Sequence, residues 1–113
     1  MTYNSEDRIE ALLASLPAAM GDLSYSVVVV DNGSIDGTVA LLEGRTDCTV
    51  VRSTNVGYAG GMNRAVKASP PSKTVLILNP DSVLDPGCVP AMCRVLEALQ
   101  LGPGGFCVLH DEV

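Results

Sequence analysis

Three polar clusters interrupt an otherwise apolar chain, and each contains residue types that could bind a phosphorylated ligand. The first cluster, residues 31–38, begins with the carboxylate of Asp31 directly after four valines. The second, residues 53–63, contains three glycines within five positions, which permit close approach of the backbone to a ligand. The third, residues 79–82, includes Asp81, whose carboxylate is the kind of hard oxygen ligand that Mg²⁺ and Mn²⁺ prefer.

Each cluster also has a purely structural interpretation, and the residues alone leave both interpretations open. Asp31 and Asp36 could serve only a turn and a helix cap, and the glycines could serve only close packing of a helix on a sheet. Two specific alternatives fail. The glycines do not follow the Gly-x-Gly-x-x-Gly spacing of dinucleotide-binding proteins. A calcium loop starting at Asp31 would place Gly33 and Ile35 where oxygen ligands are needed.

The elements that must position these clusters alternate between helix and strand. Helical spacing predicts helices over 5–16, 59–68 and 85–99, and a short helix capped by Ser34 or Asp36 that ends near 43. Short apolar runs predict strands over 26–30, 49–52, 74–78 and 106–109. This alternation predicts a Rossmann-like α/β fold, with a mostly parallel sheet flanked by helices. Because parallel strands end at one edge of a sheet, we expect the three clusters to meet in one crevice.

Composition limits the class of protein. The 113 residues suffice for one domain, covering 1–113. The net charge of −6 argues against a nucleic-acid partner, since binding to a phosphate backbone relies on basic residues. The longest run of valines, Val27–Val30, falls far short of the ~20 apolar residues of a transmembrane segment.

The four cysteines, Cys48, Cys88, Cys93 and Cys107, lie in apolar segments without zinc-site spacing. This pattern predicts buried, reduced thiols and a cytoplasmic location.

Four segments, taken in order and with their spacing, resemble the inverting family-2 glycosyltransferases, especially the rhamnosyltransferase-like branch. They are Thr-Tyr-Asn-Ser at 2–5, Val-Val-Val-Asp-Asn-Gly-Ser-Ile-Asp-Gly-Thr at 28–38, Asn-Val-Gly-Tyr-Ala-Gly-Gly-Met-Asn at 55–63, and Leu-Asn-Pro-Asp-Ser at 78–82. The resemblance covers nearly the whole chain and implies the nucleotide-diphospho-sugar transferase fold. It further implies a UDP- or dTDP-sugar donor, Mg²⁺ or Mn²⁺ as cofactor, and a polysaccharide or cell-wall acceptor.

The resemblance also implies which residues would hold the nucleoside. Tyr3 and Asn4 would lie along the base. Asp31 would hydrogen-bond the uracil or thymine ring, and Asn32 and Ser34 would shape the loop around it.

The remaining implied binding residues belong to the second and third clusters. They are Asn55, Gly57, Gly61, Asn63, Asn79 and Asp81. The glycines and Asn63 would border the ribose and the diphosphate. Asn79-Pro80-Asp81 stands where the family carries an Asp-x-Asp metal motif, so Asp81 is the expected metal ligand.

The chain departs from the family pattern at its start. The first strand of the family is an apolar run that leads into Thr-Tyr-Asn, whereas only Met1 precedes Thr2 here. A truncated sheet that lacks this strand would leave a gap between the predicted strands 26–30 and 74–78. We therefore expect direct pairing of those two strands, self-association through exposed edges, or poor solubility.

The second departure concerns catalysis. In the family, the catalytic base and the acceptor-binding region follow the part that this chain resembles, so we expect no catalytic residue among the 113. The chain would then be a partial nucleotide-sugar-binding domain of a transferase. The alternative is a non-catalytic or degenerate binding or interaction module without transferase activity.

Overall fold

The computed structural model describes residues 1–71 and 74–98 together with the backbone of 106–108. Its helices are α1 (Ile9–Met20), α2 (Thr38–Glu43), α3 (Gly57–Ala68) and α4 (Cys88–Ala98), and its strands are β1 (Val28–Asp31), β2 (Thr49–Arg52), β3 (Val75–Ile77) and β4 (Phe106–Val108). The predicted α/β alternation is confirmed. The predicted ends of the last helix and last strand, at residues 99 and 109, lie outside the described residues.

The strands form two parallel pairs. In one pair, β1 lies beside β2, with Val28 opposite Thr49, and in the other β3 lies beside β4. Within the described ranges β1 does not pair with β3, so direct pairing, the first of the three expected outcomes, is not found, while self-association and poor solubility stay predictions. Instead, Thr2 makes an isolated parallel bridge to Asp31 along the edge of β1 that faces away from β2.

Helix α1 supplies much of the core. Ile9, Leu12, Leu13 and Leu16 recur at helical spacing and are buried with Val29 of β1. This apolar stripe is the one that the sequence predicts, and it fixes which face of the helix meets the sheet.

The bounds of α1 differ from those predicted, since the helix begins at Ile9 instead of residue 5 and continues through Pro17 to Met20. The backbone N–H of Ser5 donates to Thr38 Oγ1 at 2.8 Å, and that of Glu6 donates to an Asp36 carboxylate oxygen at 3.3 Å. These bonds tie the chain before α1 to the loop after β1.

Two further expectations concern the cysteines and the membrane. Cys48, Cys88 and Cys93 are free thiols, as predicted, but they are half-buried instead of fully buried. Burial raises the pKa of the Cys48 thiol. The side chain of Cys107 lies outside the described residues. No helix in the described part of the chain is long and apolar enough to cross a membrane.

Short helix α2 holds the loop after β1 against the core through Leu42, which is completely buried. We expect Leu42→Ala to lower the free energy of unfolding by about 2–5 kcal/mol, because the substitution removes buried methyl groups and leaves a cavity. Leu41→Ala, at the half-buried neighbouring position, is the matched control and should cost less. Urea unfolding measures both, and equal losses would contradict the assignment of Leu42 as the anchor.

Candidate functional site

The carboxylate of Asp31, at the end of β1, is buried and accepts four hydrogen bonds. Thr2 Oγ1 and Ser34 Oγ donate to Oδ1 at 2.8 and 2.6 Å. The backbone N–H groups of Ser34 and Gly33 donate to Oδ2 at 2.9 and 3.3 Å. Only 2% of the residue is exposed, so its acceptor positions are filled by the chain itself. This geometry gives Asp31 a scaffolding role, and the direct base contact that the resemblance implies stays a prediction.

The electrostatics of Asp31 agree with that role. Burial by itself would raise the pKa of this carboxyl, but the hydrogen bonds from Ser34, Thr2 and Gly33 outweigh burial and hold the pKa below its ordinary value. The carboxylate is therefore ionised at neutral pH and draws its donors together.

The segment before α1 runs along the first polar loop. The Asn4 backbone N–H donates to Ser34 Oγ at 2.8 Å, and Asn4 Oδ1 accepts the Ile35 N–H at 2.9 Å. Asn4 itself has a positive φ of 49°, which asparagine tolerates better than most residues. The exposed ring of Tyr3 lies immediately before it, so the structure brings Tyr3, Asn4 and Ser34 to one rim.

Asn32 connects the first polar loop to the second. Its amide group donates to Asn55 Oδ1 and to the Gly57 carbonyl, both at 3.2 Å, and its Oδ1 accepts the Val56 N–H at 3.2 Å. Asn32 is 3% exposed. With all these partners inside the protein, Asn32 determines where the loop leading into α3 lies.

One face of the first turns of α3 packs against Met1 and Asn32. Gly61 is buried beside Met1 and Asn32, and a β-carbon there would collide with Met1 Sδ. Asn63, two residues later, is rotated about 200° around the helix axis and is exposed. Asn63 therefore lies on a different face of α3 from Gly61, and its place in the crevice with the other polar clusters stays a prediction.

The third cluster lies against the chain just before α1, a few residues after Asn4. Asp81 Oδ2 lies 3.7 Å from Arg8 Nη1, just before α1 begins. The Ser82 N–H donates to the Asn79 carbonyl at 3.1 Å, which closes the turn that presents Asp81. Asp7, Arg8, Ala11, Asp81 and Val83 line a shallow depression of about 330 Å³ there.

Whether these residues fit a divalent metal depends on the ligand set. Within the described residues no three His, Cys, Asp or Glu side chains are grouped so that they could hold a metal ion. Asp81 is the carboxylate at the turn, and 31% of its side chain is exposed. Mg²⁺ is commonly bound by one or two carboxylates together with substrate phosphates. The residues therefore fit a metal that arrives with a diphosphate, and they do not fit one held by the protein alone.

Sequence reasoning missed two residues of this rim, Thr2 and Arg8. Thr2 is almost fully buried and donates to Asp31, and no periodic pattern marks such a contact. Arg8 carried a usable signal, because a cation next to the start of a helix opposes the helix dipole. A basic residue in that position is expected to pair with a neighbouring carboxylate or with an anionic ligand.

A parallel α/β core with polar loops gathered at strand ends defines a class of proteins that bind ligands at that edge. The chain matches the family model for glycosyl transferase family 2 over residues 1–108 and therefore belongs to this family. It is similar to the uncharacterized glycosyltransferase YfnE of Bacillus subtilis (strain 168), with 38% identity over 69 residues. That match covers 58% of this chain and 18% of the relative. No solved structure matches the chain.

The buried carboxylate makes stability depend on pH in a defined direction. Because the folded-state pKa of Asp31 is lowered, its contribution is fully present above the unfolded-state pKa of ~3.9 and is lost as the pH falls through the folded-state pKa. We expect Asp31→Asn to cost about 2 kcal/mol at neutral pH. The variant should also show a shallower loss of stability in acid.

Urea unfolding at a series of pH values measures both effects. Asp85→Asn, at an exposed position before α4, is the control and should follow the parent protein. Asp36, whose pKa is also lowered, chiefly by its bond from the Thr38 hydroxyl, remains in every variant. An Asp31→Asn protein with unchanged acid sensitivity would contradict the assigned role of the carboxylate.

Proposed function

We propose that this chain is the donor-binding part of a glycosyltransferase, which binds a UDP- or dTDP-sugar with Mg²⁺ or Mn²⁺ for transfer of the sugar to a polysaccharide or cell-wall acceptor. Membership of glycosyl transferase family 2 supports glycosyl transfer as the general reaction. The observation that carries the proposal is the junction of polar loops at the strand ends, joined by Asn32 and by the bonds around Asp31. The free thiols are in keeping with a cytoplasmic location.

The nucleoside would lie against Tyr3 and Asn4. Tyr3 is 49% exposed and Tyr58, at the start of α3, is 50% exposed, so either ring could offer a face for stacking on a pyrimidine. Asp31, Asn32 and Ser34 would act indirectly, because their polar atoms hold the loops that border the base.

The diphosphate would lie between the start of α3 and the turn at Asp81. Gly57 has a φ of 78°, and no atom lies near the place that its β-carbon would occupy, so the backbone there is open to a ligand. The Gly57 N–H already donates to Asn55 Oδ1 at 3.0 Å, but the N–H groups that follow it at the start of α3 have no partners within the helix and favour an anion. Asp81, with Asn79 in the same turn, would hold the metal, which when bound neutralises the charge on the departing diphosphate.

Ligand binding tests this proposal directly. We expect UDP or dTDP together with Mn²⁺ to raise the melting temperature, since a ligand at a hundredfold excess over its Kd stabilises the folded state by about 2.7 kcal/mol. In Asp81→Ala the part of the rise that requires Mn²⁺ should disappear, while the smaller rise caused by nucleotide alone should persist. Differential scanning fluorimetry with and without EDTA separates the two parts.

Asp85→Ala is the matched control, because Asp85 is an exposed acidic residue shortly after the turn. It should retain the full response to Mn²⁺. Absence of any response to either nucleotide in the parent protein would instead favour a degenerate interaction module. A response that survives in Asp81→Ala would reject the metal assignment and leave nucleotide binding intact.

Arg8 gives a second test, because its guanidinium competes with a cation for Asp81. The pair is 3.7 Å apart and the Arg8 side chain is 60% exposed, and ion pairs of this kind contribute about 0–1 kcal/mol. Arg8→Gln should therefore lower the Mn²⁺ concentration for half-maximal stabilisation in saturating UDP by up to about fivefold. Arg94→Gln, on the exposed side of α4, should leave it unchanged. A higher Mn²⁺ requirement in Arg8→Gln would contradict competition at Asp81.

A further inference from the structure

The short segment that carries Tyr3 and Asn4 has a conformation that must be held from outside. Asn4 has a φ of 49°, in the left-handed region, which costs free energy even for asparagine and persists when neighbouring bonds hold the chain in place. Before Asn4, the N–H and carbonyl of Thr2 bond to the backbone of Val30 and Asn32, both at 2.8 Å. The bonds that follow Asn4 supply the second anchor.

Ser5 and Glu6 form this second anchor at the start of α2. The Ser5 N–H donates to Thr38 Oγ1 at 2.8 Å, and the Glu6 N–H donates to Asp36 Oδ2 at 3.3 Å. The Glu6 side chain makes the return bond, in which its Oε2 accepts the Gly37 N–H at 3.0 Å. This reciprocal pattern is that of a capping box, but here it joins two segments that are about thirty residues apart in sequence.

The Glu6 carboxylate occupies the place that a side chain at position 37 would take. Gly37 has a φ of −78° and a ψ of 7°, a backbone that is ordinary in turns and open to alanine. A β-carbon on Gly37 would lie 2.5 Å from Glu6 Oε1. Because the carboxylate is the far end of a long side chain, an added methyl group would displace it and leave the backbone in place. Glu6 and Gly37 are therefore a matched pair, and a change at either position removes the contact.

Glu6 lies between the two parts of the proposed binding site. Two residues before it, Asn4 Oδ1 accepts the Ile35 N–H at 2.9 Å. Two residues after it, Arg8 Nη1 lies 3.7 Å from Asp81 Oδ2. The segment 3–8 thus runs from the proposed nucleoside contact to the proposed metal ligand, and an anchor in its middle determines where both contacts lie.

We propose that Glu6 is a positioning residue for nucleotide binding, which acts through Asn4 by holding the chain against Gly37. This inference rests on the proposed function, since it takes the nucleoside to lie against Tyr3 and Asn4. Without the Glu6 contact, the left-handed turn at Asn4 relaxes and Tyr3 moves with it. The apparent affinity for the nucleotide then falls in proportion to the fraction of molecules that keep the binding conformation. Glu6 itself touches no ligand.

Nucleotide affinity in a set of variants tests this role. We expect Glu6→Ala and Gly37→Ala each to raise the Kd for UDP or dTDP with Mn²⁺ about fivefold, on the scale of one lost hydrogen bond. The double variant should bind no more weakly than either single variant, because both substitutions remove the same contact. Glu6→Gln should stay within about twofold of the parent protein, since its amide oxygen can still accept the Gly37 N–H. Glu10→Ala, at an exposed position in the first turn of α1, is the matched control and should leave the Kd unchanged.

Two further measurements separate positioning from a purely structural role. Gly37→Ala should change the free energy of unfolding little, because alanine fits this backbone and restricts the unfolded chain. Its affinity should therefore fall without a matching loss of stability in urea. In Glu6→Ala, hydrogen exchange of the Ile35 N–H, which Asn4 Oδ1 accepts, should become faster. In Glu6→Gln the exchange should stay as in the parent protein.

The outcomes distinguish this inference from the proposed function. If the parent protein and all the variants bind a nucleotide equally well, the proposed function stands and the role of Glu6 is overturned. Losses that add up in the double variant would also overturn it, since they would come from two separate contacts. Absence of binding in the parent protein would reject the proposed function and with it the role in nucleotide binding. Faster exchange of the Ile35 N–H in Glu6→Ala would even then establish that Glu6 holds Asn4.

Discussion

The buried carboxylate of Asp31 is the constraint on which the polar rim depends. Placing an ionised group at 2% exposure is costly unless its oxygens are hydrogen-bonded. Its donors come from two separate pieces of chain, the segment before α1 and the turn after β1. Both pieces must therefore lie against the end of β1, and a conformation that moved either away would leave a buried charge with too few partners.

The residue after Asp31 fixes a second loop, because neighbouring residues of a strand point in opposite directions. Asp31 faces Thr2 and Ser34, whereas Asn32 reaches the loop of Asn55 and Gly57 on another side. Two successive residues thus fix two different loops from one strand end. This arrangement explains how a chain with short strands holds an irregular rim, since each loop is held by side-chain bonds to β1.

Much of the fold follows from local pattern, whereas the site depends on contacts that pattern does not encode. The bounds of β2 agree with the prediction, because a short apolar run between turn residues has one reasonable interpretation. The start of α1 differs from the prediction, since residues 6–8 form a turn ahead of the helix, and the contacts of Ser5 and Glu6 with a loop about thirty residues away are not visible in the local pattern. Asp31 was correctly located at a strand end, but its partner Thr2 could be found only from the three-dimensional structure.

The electrostatics of the rim depend on whether the carboxylate of Asp81 pairs with Arg8 or binds a metal. The chain is acidic overall, with a net charge of −6, and a diphosphate would add further negative charge. Arg8 is held at the rim by Asp81, in a position that the dipole of α1 disfavours. A metal that binds Asp81 with the donor would free the Arg8 guanidinium from that ion pair. The metal would then supply positive charge next to the diphosphate, and Arg8 would keep only its other ion pair, to Asp7 at 3.9 Å. In this way an acidic protein could bind an anionic donor.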